Sequence, residues 1–267
     1  MEKRKISSLG LRIISSLVMV PLVVGAVYFG NPYLFLLLLL TGAMLCWEWS
    51  SMIKSANPAL YATIYTVCMV ISVLFPLSLL WLIIILFAGI LAAYKARKEA
   101  HPVLLALGVP YIALGLGSIA WIYQVTDWVG IMWLILAVWS VDVGGYVFGT
   151  TLKGPKLAPK ISPNKTWSGL IGGVVLAGVV CGFFCYCLGL QSVALIAWTA
   201  GAMGLAFVAQ IGDLCESAIK RRLGLKDSSN LIPGHGGVFD RIDGLLLAAP
   251  VLSLIHISEP TRLDVIS

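Results

Sequence analysis

The stretch 129-VGIMWLILAVWSVDVGGYVFG-149 carries one charge, Asp142, in an otherwise apolar run. As a helix it is about 30 Å long, which matches the hydrocarbon core of a bilayer. Comparable runs lie at 11–29, 33–53, 60–75, 77–94, 102–122, 168–189, 193–213 and from 243 onward. The 60–94 segment is too long for one span, and Pro76 is placed to break it. Charged residues are 11% of the chain, against about a quarter in soluble domains, so they cannot cover a water-facing surface. The expected fold is therefore an all-α, polytopic integral membrane protein with about nine transmembrane helices. It forms a single membrane domain over 1–267, with N-terminal helices at 1–128, polar-loop-bearing helices at 129–254 and an atypical tail at 255–267. The start, MEKRKISSLGLR, has the look of a secretory signal. More apolar runs follow it, so it reads as an uncleaved first span.

The cations test this count. With the N-terminus in the cytoplasm, the inner segments are 1–10, 54–59, 95–101, 150–167 and 214–242. They hold nearly all the Lys and Arg, including Lys3, Arg4, Lys5, Lys54, Lys95, Lys153, Lys220 and Arg241. The opposite turns near 30–32, 76, 123–128 and 190–192 hold none. That is the positive-inside pattern, and Arg262 in the tail is the exception. The six cysteines, in or beside apolar runs, form no C-x-x-C pair and read as small core residues.

Two inner segments are long and polar: 150-TTLKGPKLAPKISPNKTWSG-169 and 213-DLCESAIKRRLGLKDSSNLIPGHGGVFDRIDG-244. Acids at membrane depth are costly and are functional candidates. Asp142, Asp213, Asp240 and Asp243 all fall at the cytoplasmic ends of spans. On a helix, Asp213, Glu216, Ser217 and Lys220 share one face, a stripe of acid, hydroxyl and cation suited to holding a metal ion and a phosphate together. Mg²⁺ favours carboxylate oxygen, water and substrate phosphate. Lys165, Lys220, Arg221 and Arg222 would neutralise phosphate charge, and the glycines of 232-IPGHGGVFDRID-243 let backbone approach a ligand. Glu48, in 47-WEWS-50, reads as a structural partner of a basic loop, Asp227 as a loop or cap residue, and His101 as a solvated side chain. His235, between two glycines in the polar loop, reads as a site residue.

These residues carry a resemblance. The stretch 217-SAIKRRLGLKDSSNLIPGHGGVFDRID-243 resembles the signature of bacterial phosphatidate cytidylyltransferases, also called CDP-diacylglycerol synthases. It matches at Ser217, Lys220, Arg221, Lys226, Asp227, Pro233, Gly234, His235, Gly236, Gly237, Asp240, Arg241 and Asp243. The segments 212-GDLCES-217, 142-DVGGYVFG-149 and 162-SPNKTWSG-169 fit the same family in the same order. The resemblance covers about 140–252; the N-terminal half matches in character only. It implies that CTP and phosphatidic acid react to give CDP-diacylglycerol and pyrophosphate at the cytoplasmic face of the inner membrane. It implies Mg²⁺, with room for a second cation such as K⁺. The implied catalytic residues are Asp213, Asp240, Lys220 and Ser217, and the implied metal ligands are Asp213, Asp240, Asp243 and Glu216. Substrate would be held by Asn164, Lys165, Thr166, Ser162, Arg221, His235, Gly236, Gly237, Arg241 and Asp142. Membrane lipid is a partner, nucleic acid is not, and a homodimer is compatible.

One segment departs from the family. After 243-DGLLLAAPVLSLI-255 comes 256-HISEPTRLDVIS-267, whose charged residues and Pro260 do not suit hydrocarbon. It reads as a truncated frame or a foreign tail. A cation-coupled transporter is the rival class, but transporters place their sites near the midplane and are built from repeats, and the acids here sit at one face without a repeat. A cytidylyltransferase acting on another lipid phosphate is the nearer alternative.

Overall fold

The computed structural model describes residues 8–76 and 78–258, and these fold into helices with one small hairpin. The helices are α1 (Ser8–Phe29), α2 (Tyr33–Met52), α3 (Pro58–Leu74), α4 (Leu79–Ala96), α5 (Pro102–Thr151), α6 (Trp167–Cys187), α7 (Ser192–Arg222) and α8 (Phe239–Ser258). The N-terminal Lys3, Arg4 and Lys5, and tail residues 259–267, lie outside the described residues.

Among the described residues, α2, α5, α6 and α7 are long and apolar enough to cross a membrane. α3 and α4 separate at Phe75 and Pro76, as the proline predicts. The expected break at 123–128 is present as a kink at Asp127. α5 runs through it with Asp127 alone outside helical geometry, at φ 56° and ψ −153°. No Gly or Pro lies between Gly117 and Gly130 to end the helix there, so the main chain resumes after a single residue. At 50 residues an unbroken α5 would measure about 75 Å, roughly two and a half times a bilayer core, and the kink divides it into two span-sized halves.

Large apolar side chains such as Leu17, Phe29, Phe183, Val193 and Ile196 face outward. A soluble monomer does not carry such a belt, whereas lipid solvates it. Inside, Trp49, Tyr61, Tyr65, Trp81 and Phe239 are fully buried, and two of them hydrogen-bond through their polar tips. Trp49 Nε1–H donates to the Leu104 carbonyl at 3.1 Å, and Tyr65 O–H donates to that of Leu105 at 2.6 Å, tying α2 and α3 to the start of α5.

The α5–α6 connection holds the part not foreseen. β1 (Lys156–Ala158) pairs antiparallel with β2 (Ser162–Thr166), with Lys156 opposite Thr166. Three prolines and mostly polar side chains over 155–166 give no apolar alternation to signal a strand. Thr166 closes the hairpin and starts the next helix, its hydroxyl accepting from the Gly169 N–H at 3.1 Å.

Candidate active site

The first requirement is that α7 and α8 come close enough for their acids to meet. Gly212, immediately before Asp213, makes this possible: a Cβ there would lie 2.9 Å from the Asp243 carbonyl and 3.1 Å from the Leu247 Cβ. Gly212→Ala is expected to push the helices apart and cost about 1–3 kcal/mol of stability, read as a lower unfolding midpoint in detergent. A wild-type midpoint would show that the contact is slack.

With the helices in contact, Asp213 and Glu216 of α7 and Asp243 of α8 bring one carboxylate oxygen each within 4.8 Å of one another. Glu216 is buried, and its Oε1 finds no hydrogen-bond partner. Three hard oxygen ligands with one orphaned buried oxygen fit a divalent cation that keeps water and phosphate in its remaining positions. Asp240, a candidate ligand from the sequence, is not one of this trio but lies beside Glu216, across the shared Lys220 ammonium. Its carboxylate accepts from Lys220 Nζ at 2.6 Å, from the Ser228 N–H at 3.1 and 3.2 Å, and from the Gly237 N–H at 2.9 Å. It organises the loop that precedes it.

Lys220 joins the two groups, pairing with Glu216 at 2.7 Å as well as with Asp240. Lys165, delivered by β2, pairs with Asp213, and the Ser217 hydroxyl donates to the same carboxylate at 3.3 Å. These acids and lysines line a cavity of about 840 Å³. Asp142, Ser162, Asn164, Thr166 and Arg241 share the lining, so the hairpin, both halves of the signature and the aspartate of α5 meet in one place. The volume is on the scale of small-molecule sites. A neighbouring cavity of about 540 Å³ is lined by Lys226, His235, Gly236 and Arg241, and shares Asp227 and Arg241 with the first.

Some expected residues serve the walls. Arg221 donates to the carbonyls of Ile161 and Leu225 at 3.3 and 3.1 Å, stapling the hairpin turn to the loop after α7. Arg241 donates to the His235 carbonyl at 2.8 and 3.1 Å. The His235 ring contacts Ser15 and Ser16 of α1, with the Ser15 hydroxyl 2.7 Å from Nδ1. Gly237 packs against Glu48. Glu48 does partner a basic segment, 214–242, as expected, but through its hydroxyls and backbone N–H groups rather than its cations, and it is buried. Gln210, buried and lining the cavity, was missed. Its position three residues before Asp213, on the same helical face, was the available signal. Asp227, read as a loop or cap residue, lies in the loop after α7 and also lines both cavities.

A family model described as "Cytidylyltransferase family" matches residues 10–258. A phosphatidate cytidylyltransferase of Brucella abortus is 49% identical over 144 residues, and the chain spans about half (50%) of that relative's length. The similarity extends further in two others of the same name. The Rickettsia felis protein is 34% identical over 253 residues, 92% of each chain, and that of Pseudomonas aeruginosa is 33% identical over 268 residues, 91% of this chain and 95% of the relative.

Proposed function

Because the chain belongs to the cytidylyltransferase family, we propose that it is a phosphatidate cytidylyltransferase, converting CTP and phosphatidic acid to CDP-diacylglycerol and pyrophosphate. A phosphate oxygen of phosphatidic acid attacks the α-phosphorus of CTP. The new P–O–P bond forms as the bond to the β-phosphate breaks, and pyrophosphate carries away the electron pair. The attacking oxygen is already anionic, so no strong general base is required. The observation that carries this reading is the single cavity where Asp213, Glu216 and Asp243 meet Lys165 and Lys220 beside the signature loop.

The residues divide the work. Asp213, Glu216 and Asp243 would hold Mg²⁺, which supplies charge neutralisation to the phosphate oxygens when bound. Asp142, on the facing helix, shares the cavity and adds negative charge toward a second cation such as K⁺. Lys153, Lys156, Lys165 and Lys220 offer cations to the triphosphate. Asn164, Ser162 and Thr166 add neutral polar groups from the hairpin. Asp240, through Lys220 and the Ser228 and Gly237 N–H groups, keeps the loop in register with α7.

The membrane setting follows from the charges. With α5 counted as two, nine spans would put the N-terminus and the basic loops together at the cytoplasmic face of the inner membrane, the arrangement that the positive-inside pattern favours. CTP then enters from water, and phosphatidic acid from the adjoining leaflet.

The test is incorporation of labelled CTP by purified protein in lipid micelles. CDP-diacylglycerol and pyrophosphate should form in equal amounts with Mg²⁺ and phosphatidic acid, and formation should stop with excess EDTA. A polyisoprenyl phosphate in a parallel arm separates the nearer alternative. Incorporation into that acceptor alone would reassign the substrate, and none into either would reject the activity.

A further inference from the structure

The residue that fixes the signature loop lies outside the signature, in the helix whose sequence says least about function. The side chain of Glu48, on α2, is 1% exposed, and both its oxygens are occupied. Oε1 accepts from the Ser229 hydroxyl and from the Val238 N–H at 2.9 Å. Oε2 accepts from the Ser228 hydroxyl at 3.2 Å and from the Phe239 N–H at 2.8 Å. Val238 and Phe239 sit at the start of α8, where helical N–H groups lack partners of their own and a negative charge is stabilised by the helix dipole. Asp240 and Asp243 follow one and four residues later. Beside the carboxylate, Trp49 stacks edge-on against Phe239 at 5.4 Å, and Tyr111 closes the cluster at 5.5 Å from Trp49 and 5.9 Å from Phe239.

Gly237 provides the independent observation. A Cβ there would lie 2.6 and 2.8 Å from the two Glu48 oxygens and would fall on the Ser228 hydroxyl. The space a side chain would need is taken by this carboxylate and by the Ser228 hydroxyl that donates to it. The glycine of the signature and an acid nearly two hundred residues away are two halves of one joint.

We propose that Glu48 is a positioning residue of the active site, acting through the loop and the first turn of α8 to set Asp240 and Asp243 against α7. This rests on the cytidylyltransferase reading for its turnover arm only, because Asp243 also belongs to the cation-binding trio. Glutamine cannot replace the acid: its amide nitrogen would present N–H to a hydroxyl and a backbone N–H that already donate. Aspartate keeps four acceptor sites on a stem one methylene shorter.

The experiment compares wild type, Glu48→Ala, Glu48→Gln, Glu48→Asp, Gly237→Ala and the Glu48→Ala/Gly237→Ala pair. Each is read by kcat and KM for CTP, by Mn²⁺ affinity from electron paramagnetic resonance, and by unfolding midpoint. Alanine and glutamine are expected to lower kcat about 100-fold and to weaken Mn²⁺ binding about tenfold, with KM for CTP within about threefold of wild type. Aspartate should regain at least about tenfold in kcat over glutamine. Gly237→Ala should be damaging alone and add less to Glu48→Ala, where the carboxylate is gone and the Ser228 hydroxyl it held can turn away. If the Glu48 variants do not fold, Ser228→Ala/Ser229→Ala removes two of the donors and keeps the acid; it should lower kcat and Mn²⁺ affinity together. Wild-type Mn²⁺ affinity in folded Glu48→Ala would overturn the proposal, as would losses that merely follow the folded fraction, or Gly237→Ala costing the same in both backgrounds. Should wild type bind Mn²⁺ yet turn over no CTP, the activity reading fails while the Mn²⁺ comparison still decides this one.

Discussion

Asp213→Asn is expected to lower CDP-diacylglycerol formation by about 10³-fold or more while leaving the protein folded in the membrane. Asparagine keeps the volume and one oxygen but removes the charge. That charge now has three neighbours drawing on it: the other two carboxylates of the trio, the Lys165 ammonium and the Ser217 hydroxyl. The side chain of Asp213 is 28% exposed, so its ion pair is partly solvated and contributes at most about 1 kcal/mol to stability. Chemistry should therefore collapse while the unfolding midpoint barely moves. Asp240→Asn should also suppress turnover, by a different route. Its carboxylate is 6% exposed and holds Lys220 and two backbone N–H groups, so the midpoint should fall. Mn²⁺ titration separates the two: affinity drops directly in Asp213→Asn and much less in Asp240→Asn. Near wild-type turnover in Asp213→Asn would remove the trio from the mechanism.

Much of this arrangement could be read from the chain. Helical spacing placed Asp213, Glu216, Ser217 and Lys220 on one face, and α7 carries them so, running to Arg222. Pro76 and the lysine-free turns located element ends within a few residues. Which acids would meet was not legible, because periodicity fixes a face along one helix and says nothing of distance to the next. Asp240 and Asp243 look alike in 240-DRID-243. Their surroundings differ because Lys220 reaches Asp240, while the close approach at Gly212 brings Asp243 to Asp213 and Glu216. The groups that partner Glu48 were hidden for the same reason. A lone acid among apolar residues asks for a partner, and the sequence offered lysines nearby but no sign that backbone N–H groups of α8 would supply it. The hairpin at 156–166 was hidden by its prolines, although its product, Lys165 against Asp213, is central to the cavity.

Lys220→Met should be the most damaging change to the fold and nearly as severe for turnover as Asp213→Asn. The ammonium sits 2.7 Å from Glu216 and 2.6 Å from Asp240, in a site where the three side chains are 10, 1 and 6% exposed. Methionine fills much of the same volume without the charge and strands two buried carboxylates. Removing one member of a buried ionic group costs about 3–5 kcal/mol, because the remaining charges lose compensation they cannot recover from water. Turnover should fall about 10³-fold, since a cation at the phosphate cavity is lost as well. Lys165→Met is the internal control. Its pair with Asp213 is 20 and 28% exposed, so stability should change by at most about 1 kcal/mol while activity still drops. A second substitution then separates fold from chemistry. Glu216→Gln added to Lys220→Met removes one stranded charge and should restore part of the unfolding midpoint, a coupling that a double-mutant cycle reads directly. Turnover should remain low, because neither the cation nor the Glu216 oxygen pair returns. Recovery of both together would mean that Lys220 serves only to neutralise Glu216 and has no part in holding phosphate.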